Sequence, residues 1–260
     1  MSNEIKVIGV DPAPSKDSTV FDGEKFRPLS ARALLEYING LDGNVLICWD
    51  APLTSPEPSD KQKLYTRPIE LFFQKKIDLP KGISVLGYAG CPHWTITQYV
   101  LGYPEVGSMK HTNEQEQYKL IKTSDVIRKD SICGRNVMEV HPALSMYLML
   151  KETVITDWKY KGTVTANNRK NRIATYLEKL AEKYETLINK GWAEKEIGND
   201  DDRLDAYIAW LLGKLWLTQL SEDSVGAVKL IGGDDGYFLL PDVEIGGARL
   251  SDKYAKFKNA

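Results

Sequence analysis

Two short apolar runs, each stopped by an aspartate and a proline, set the pattern of the N-terminal part of the chain. Ile5 to Val10 is rich in β-branched residues and leads through Gly9-Val10 into Asp11, with Pro12 and Pro14 just beyond. This predicts a buried strand that ends at the aspartate, because proline has no N–H to give to a ladder. Val45 to Trp49 repeats the arrangement, and Asp50-Ala51-Pro52 closes it. Between the two runs, Ser18 to Phe21 and Lys25 to Arg27 flank the tight-turn dipeptide Asp22-Gly23, so the first strand is expected to continue into a three-strand meander. Ser30 can cap a helix through Asn39, with Ala31, Leu34, Leu35 and Ile38 on one face and Gly40 just past its end.

From Thr54 to about Lys129 prolines interrupt several helix-like segments, and residues 54–130 read as an insertion or lid between the fourth and fifth strands. Asn136 to Val140 is the next short apolar strand and carries Glu139. His141-Pro142 then leads into a helical pattern, Ala143 to Leu150, with Pro142 suited to the first helical position. Two longer helices are expected, one over Asn168 to Lys190 and one over Asp201 to Leu220. Val225 to Ile231 and Tyr237 to Leu240 flank a glycine- and aspartate-rich turn and read as a hairpin. The expected organisation is one α/β domain over 1–245 and a C-terminal tail over 246–260, frayed from Asp252.

Composition agrees with a compact α/β domain: 42% hydrophobic and 27% charged residues suffice for a sizeable core without a long apolar span. The Met-Ser-Asn-Glu start lacks a signal-peptide layout, so a cytoplasmic location is expected. Cys48, Cys91 and Cys133 are scattered and form no C-x-x-C pair, which argues for reduced, mostly buried thiols. A formal net charge of -2 gives no general basic surplus for duplex binding, so contact with nucleic acid would rest on local charge.

Carboxylates are normally solvated, so three at the ends of buried apolar strands, Asp11, Asp50 and Glu139, point to a shared site. Asp202 and Asp205 are three apart on a helix and share one face. Close like charges repel by roughly 4 kcal/mol per pair at 4 Å and an effective dielectric near 20, so such a cluster needs a cation. All-oxygen ligands favour Mg2+ or Mn2+. Two ions about 4 Å apart suit phosphodiester hydrolysis, with Asp11 bridging them, Asp50 holding one, Glu139 and Asp205 the other, and Asp202 nearby. The competing reading makes Asp11 and Asp50 caps of the following turns, and one or two of the acids in Asn199-Asp200-Asp201-Asp202 helix caps.

Val10-Asp11, Trp49-Asp50-Ala51-Pro52-Leu53, Arg67-Pro68, Glu139-Val140-His141-Pro142-Ala143, Asp201-Asp202-Arg203-Leu204-Asp205-Ala206 and Gly236-Tyr237-Phe238-Leu239-Leu240-Pro241 occur in an order that resembles domain of unknown function family 429, predicted nucleases of ribonuclease H-like fold. The resemblance implies a mixed sheet, a three-strand antiparallel meander plus parallel strands, flanked by helices. It also implies metal ligands on the first strand, a later strand and the last helix, carried over as Asp11, Glu139 and Asp205. Two departures stand out. Pro12-Ala13-Pro14-Ser15-Lys16 replaces the family's glycine-rich turn, and Glu70 stands where an aspartate is usual.

Other residues carry two readings each. His141 can orient or deprotonate an attacking water, or cap the helix after it. Arg169, Lys170 and Arg172, preceded by Lys159 and Lys161, can grip phosphates or form a solvated helix start. Lys16 and Arg67 can contact phosphate or neutralise the acids, with neutralisation slightly favoured. His93 and His111 have no ligand spacing, and Trp94 and Tyr99 can stack bases or fill a core. The expected activity is a metal-dependent nuclease acting on DNA or RNA, with no membrane partner and a homodimer left open. A non-catalytic binding module of the same fold is the alternative. An actin-like phosphotransferase fits poorly, because the first turn is proline-rich and no second half repeats it.

Overall fold

In the computed structural model of the chain, which describes residues 4–55, 66–86, 93–103, 118–122, 132–222 and 228–260, the first apolar run is β1 (Ile5–Asp11). It continues through β2 (Ser18–Phe21) and β3 (Phe26–Leu29) as an antiparallel meander. The turn between β2 and β3 is closed by Asp22, whose Oδ1 accepts from the N–H groups of Glu24 and Lys25 at 3.1 and 3.0 Å, with Gly23 at φ 94°. Helix α1 (Ala31–Asn39) starts at the Ser30 cap and stops at Gly40, and β4 (Asn44–Trp49) then pairs parallel to β1.

The stretch expected to be a helical and irregular insertion holds two helices among its described residues, α2 (Pro68–Lys76) and α3 (Trp94–Leu101), and also a strand that was not expected, β5 (Tyr118–Leu120). Pro68 opens α2 instead of breaking it, since the first helical N–H has no intrahelical partner to lose. Beyond them, β6 (Arg135–Glu139) pairs parallel to both β4 and β5, giving a six-stranded mixed sheet in the order β3-β2-β1-β4-β6-β5. Pro56, Pro58, Cys91, Pro92, Pro104 and His111, and the Val225 start expected for the last hairpin, lie outside the described residues.

Helices α4 (Pro142–Leu150), α5 (Ala166–Lys183), α6 (Lys190–Ile197) and α7 (Asp201–Glu222) follow. The single helix expected to reach Lys190 ends at Lys183, and a second begins after Asn189, whose side chain accepts from Trp192 N–H at 3.1 Å. Strands β7 (Val228–Gly233) and β8 (Gly236–Pro241) form the last hairpin, joined to the end of β6 by a parallel bridge between Val140 and Leu239. The tail does not fray from Asp252. After the short pair β9 (Glu244–Ile245) and β10 (Ala248–Arg249) it forms α8 (Leu250–Lys258). Leu250 and Tyr254 of α8 are buried, and Tyr254 meets Phe72 edge-on with ring centroids 5.4 Å apart.

The alternation of side chains along the central strands divides the core. Ile8, Val10, Ile47 and Val137 pack with Leu34 and Ile38 of α1 on one face. Val7, Leu46, Cys48 and Met138 pack with Leu204, Ile208 and Leu211 of α7 on the other. Helix α7 can lie this close because β1 offers a glycine: a Cβ on Gly9 would sit 2.0 Å from Ala206 O and 2.5 Å from Trp210 N. Gly213 does the same from the helix side, where a Cβ would meet Cys48 Sγ at 2.5 Å. Cys48 is buried as expected, whereas Cys133 is exposed at the start of the β6 segment. Among the described residues no helix is long and apolar enough to cross a membrane.

Candidate functional site

Asp11 closes β1 and Asp50 follows β4, two adjacent parallel strands whose last paired residues are Val10 and Trp49. By alternation both carboxylates emerge on the α7 face, beyond Gly9 and Cys48. Asp205, in the first turns of α7, comes down onto the same point. One carboxylate oxygen from each of the three lies within 4.8 Å of the others. Asp11 and Asp50 are half-buried and Asp205 is buried. Burial and the charge of Asp205 hold the Asp11 carboxyl well above the usual carboxylate range. Burial likewise pushes Asp50 up to about 8, with Lys161 pulling it down and Asp205 and Glu139 pushing it further up. Asp205 is raised by burial too, against the pull of the Lys161 ammonium.

That ammonium belongs to a residue expected to be part of a basic stretch that grips phosphates or forms a solvated helix start. Lys161 forms an ion pair with Asp205 Oδ2, and its neighbour Tyr160 donates a 2.6 Å hydrogen bond to Asp205 Oδ1. Both lie on the segment between α4 and α5, which is fixed in several ways. Trp158 is buried and stacks on Tyr176 at 5.6 Å, Tyr176 Oη donates to Asp157 O at 2.8 Å, and Asp157 Oδ1 accepts from Lys159 N–H at 3.0 Å. A Cβ on Gly82 would lie 2.6 Å from Lys159 N, so only glycine lets that loop pack here.

Glu139 does not join the three aspartates. In the β4–β6 register it lies opposite Trp49, and it lines the same cleft as Asp11 and Asp50, where its charge acts on Asp50. Its carboxylate is closed by Arg67, which donates from Nη1 to Oε2 at 2.7 Å and from Nη2 to Oε1 at 2.6 Å, while Leu53 N–H donates to Oε2 at 2.8 Å. Arg67 also donates from Nε to Glu70 Oε1 at 2.9 Å and from Nη1 to Thr54 Oγ1 at 3.0 Å. Glu70 Oε2 accepts from the Arg67 backbone N–H at 2.8 Å and fastens the start of α2. With only 1% of its side-chain surface exposed, Arg67 neutralises two buried acids at the wall of the cleft, the role slightly favoured from the sequence. The later-strand member of the carboxylate set is therefore Asp50, not Glu139.

The remaining residues named from the sequence are also committed. Asp202 lines the same cleft but is ion-paired with Lys16, and Asp200 is the cap of α7, accepting from Asp202 N–H and Arg203 N–H at 3.1 Å each. His141 lines the cleft as the cap of α4. Its Nδ1 accepts from Leu144 N–H at 3.4 Å, and the ring also hydrogen-bonds the Ser84 backbone. Burial and the Lys161 charge lower its pKa to about 4. An imidazole with its pKa lowered this far is a weak base towards an attacking water. Arg169 pairs with Asp201 at 2.8 Å and Arg172 pairs with Asp157, so both tie α5 to neighbouring acids and are not turned towards the cleft.

The cleft measures about 330 Å³ and is also lined by Lys16, Lys161 and His93. Tyr160, Lys161 and His93 gave no sequence signal of their own role. The aromatic–Lys pair in a loop between two helices resembles any surface loop, and His93 stands alone. Three carboxylates that converge on one point form an all-oxygen donor set of the kind a hard divalent cation takes. Asp11, Asp50 and Asp205 could together hold a divalent cation at one position. In a comparison with known proteins, no family model, no curated protein and no solved structure matches this chain.

Proposed function

We propose that the protein is a divalent-metal-dependent phosphodiester hydrolase of ribonuclease H-like fold, acting on DNA or RNA. The observation that carries this reading is the meeting of Asp11, Asp50 and Asp205, from the first strand, a later parallel strand and the long helix, within 4.8 Å at the strand ends. The three-strand antiparallel meander followed by parallel strands supports the same fold assignment, and with it the resemblance to domain of unknown function family 429.

Asp11, Asp50 and Asp205 would hold the cation, and Tyr160 fixes the rotamer of Asp205 through its 2.6 Å hydrogen bond. Bound there, the cation supplies Lewis acidity and charge neutralisation at a phosphodiester. Lys16 and Lys161 bring positive charge to the side of the cleft where a phosphate would approach. Arg67 keeps Glu139 out of the metal set, which leaves the two-ion scheme without one of its expected ligands and favours a single ion.

The test is incubation of the protein with single-stranded, duplex and branched DNA and RNA in Mg2+, Mn2+ or EDTA. Cleavage should require the ion and disappear in folded Asp11→Asn and Asp50→Asn variants. A single observation favours a second reading, a metal-dependent binding module without turnover: His141, the residue best suited by type to move a proton, is engaged by Leu144 and the Ser84 backbone. Metal-dependent retention of nucleic acid with no product over all substrates would select that reading.

A further inference from the structure

We propose that Lys161 is a tethered competitor for the divalent cation: its ammonium sits on the Asp11–Asp50–Asp205 cluster in the metal-free protein and must swing away for the ion to bind. The inference rests on the metal-site reading above and assigns that site a built-in control of affinity.

Three observations carry it. The ammonium is ion-paired with Asp205, the one fully buried carboxylate of the three, and the charges of Asp50 and Asp11 also act on it. The ammonium and a divalent cation at the cluster compete for the Asp205 carboxylate, and two cations that close repel. Next, the backbone that bears Lys161 is held in place by Trp158, by the Tyr160 hydrogen bond to Asp205 and by the close approach at Gly82, so the ammonium is delivered without freedom of the loop. Finally, 49% of the Lys161 side-chain surface is open to solvent. A lysine carries its charge on a flexible four-carbon stem, so the head can leave the cluster by side-chain rotation alone. The neighbouring basic residue at the cleft, Lys16, already has Asp202 as a partner and does not serve as the counter-charge of the three aspartates.

The device has two consequences. It lets a metal-free chain tolerate three converging carboxylates, and it raises the cation concentration at which the site fills. Removing the ammonium while keeping a similar volume, in Lys161→Gln, should therefore tighten Mn2+ binding by roughly ten-fold or more and lower the melting temperature of the metal-free protein.

Mn2+ binding to wild type and Lys161→Gln, followed by electron paramagnetic resonance of the free ion, tests this directly. Tighter binding by the variant supports the proposal. Equal or weaker binding by the variant, with Mn2+ bound by the wild type, overturns the role of Lys161 and leaves the metal site standing. Absence of Mn2+ binding in both proteins overturns the site and the competitor together. A measurement on the wild type alone covers the case of a variant that does not fold. Acetic anhydride labelling read residue by residue by mass spectrometry should modify Lys161 several-fold faster in Mg2+ than in EDTA. Unchanged labelling of Lys161 in a protein that binds the ion overturns the proposal.

Discussion

Gly9 on β1 and Ala206 on α7 approach so closely that a Cβ on the glycine would stand 2.0 Å from the alanine carbonyl oxygen. This contact sets the height of the long helix above the sheet, and hence the position of Asp205 relative to Asp11. The obstruction is backbone, which cannot rotate away as the end of a side chain can. Gly9→Ala should cost at least the 1–3 kcal/mol or so typical of overpacking, seen as a lower urea midpoint with an unchanged slope. It should also weaken Mn2+ binding beyond what the loss of folded protein explains. A variant with wild-type stability and metal affinity would show that the helix can rise without moving the site.

Asp50→Asn should make the metal-free protein more stable. The substitution removes a carboxyl whose charged form burial and the nearby Asp205 and Glu139 disfavour, against the pull of Lys161. A gain of about 1 kcal/mol is the scale for relief of one like-charge contact in a partly solvated site. Thermal unfolding with and without Mn2+ checks both halves of the expectation: a higher melting temperature in EDTA, and loss of the upward shift that Mn2+ gives the wild type. A melting temperature in EDTA that falls instead would mean that Asp50 is held by contacts that matter more than the repulsion.

Arg67 is the counter-charge of two buried acids, so removing it alone should be among the most damaging single changes in the chain. Arg67→Met leaves Glu139 and Glu70 buried without their partner, for which a loss of about 3–5 kcal/mol is expected. Replacing Glu139 by Gln in the same chain should recover part of that loss, since one orphaned charge is then gone. Chemical denaturation of the two singles and the double measures the coupling. Additive losses would mean that the pair, despite two hydrogen bonds at 2.6 and 2.7 Å, contributes little.

Docking of α8 should weaken in acid. Asp242 accepts from Ser251 N–H and Ser251 Oγ, each at 2.9 Å, and pairs with Lys229 at 2.8 Å. Burial acts to raise its pKa, but the Lys229 and Ser251 hydrogen bonds outweigh this and hold it below the usual carboxylate value. A depressed folded-state pKa contributes stability in full above the unfolded value, near 4, and that contribution is lost as pH falls through the folded one. Wild type should therefore exceed Asp242→Asn in stability at pH 6, with the gap closing below about pH 4. A gap independent of pH would assign the effect to geometry instead of charge.

Much of the local structure is legible because its causes are local. The Ser30 cap and the Gly40 stop define α1, Pro142 opens α4, and the proline after each aspartate ends β1 and β4 where the aspartates stand. The approach of Asp205 to Asp11 and Asp50 was expected from the same patterns, because a carboxylate at a buried strand end and one in the first turn of a long amphipathic helix both need a reason to be there.

Which acids share the site was settled only by tertiary pairing. The strand holding Glu139 is buried on both faces, so its run of apolar residues carries no alternation from which a face could be read. The fold instead pairs Glu139 with Arg67, 72 residues earlier in the chain, at the wall of the same cleft. Lys161 reaches the aspartates from a loop whose composition looks solvated, and α8 is ordered by Asp242 and Phe72 instead of by its own pattern. Sequence spacing determined which residues are chemically able to hold a cation. Distance in the folded chain, which spacing does not encode, decided which of them are neutralised by a neighbour and which converge on one point.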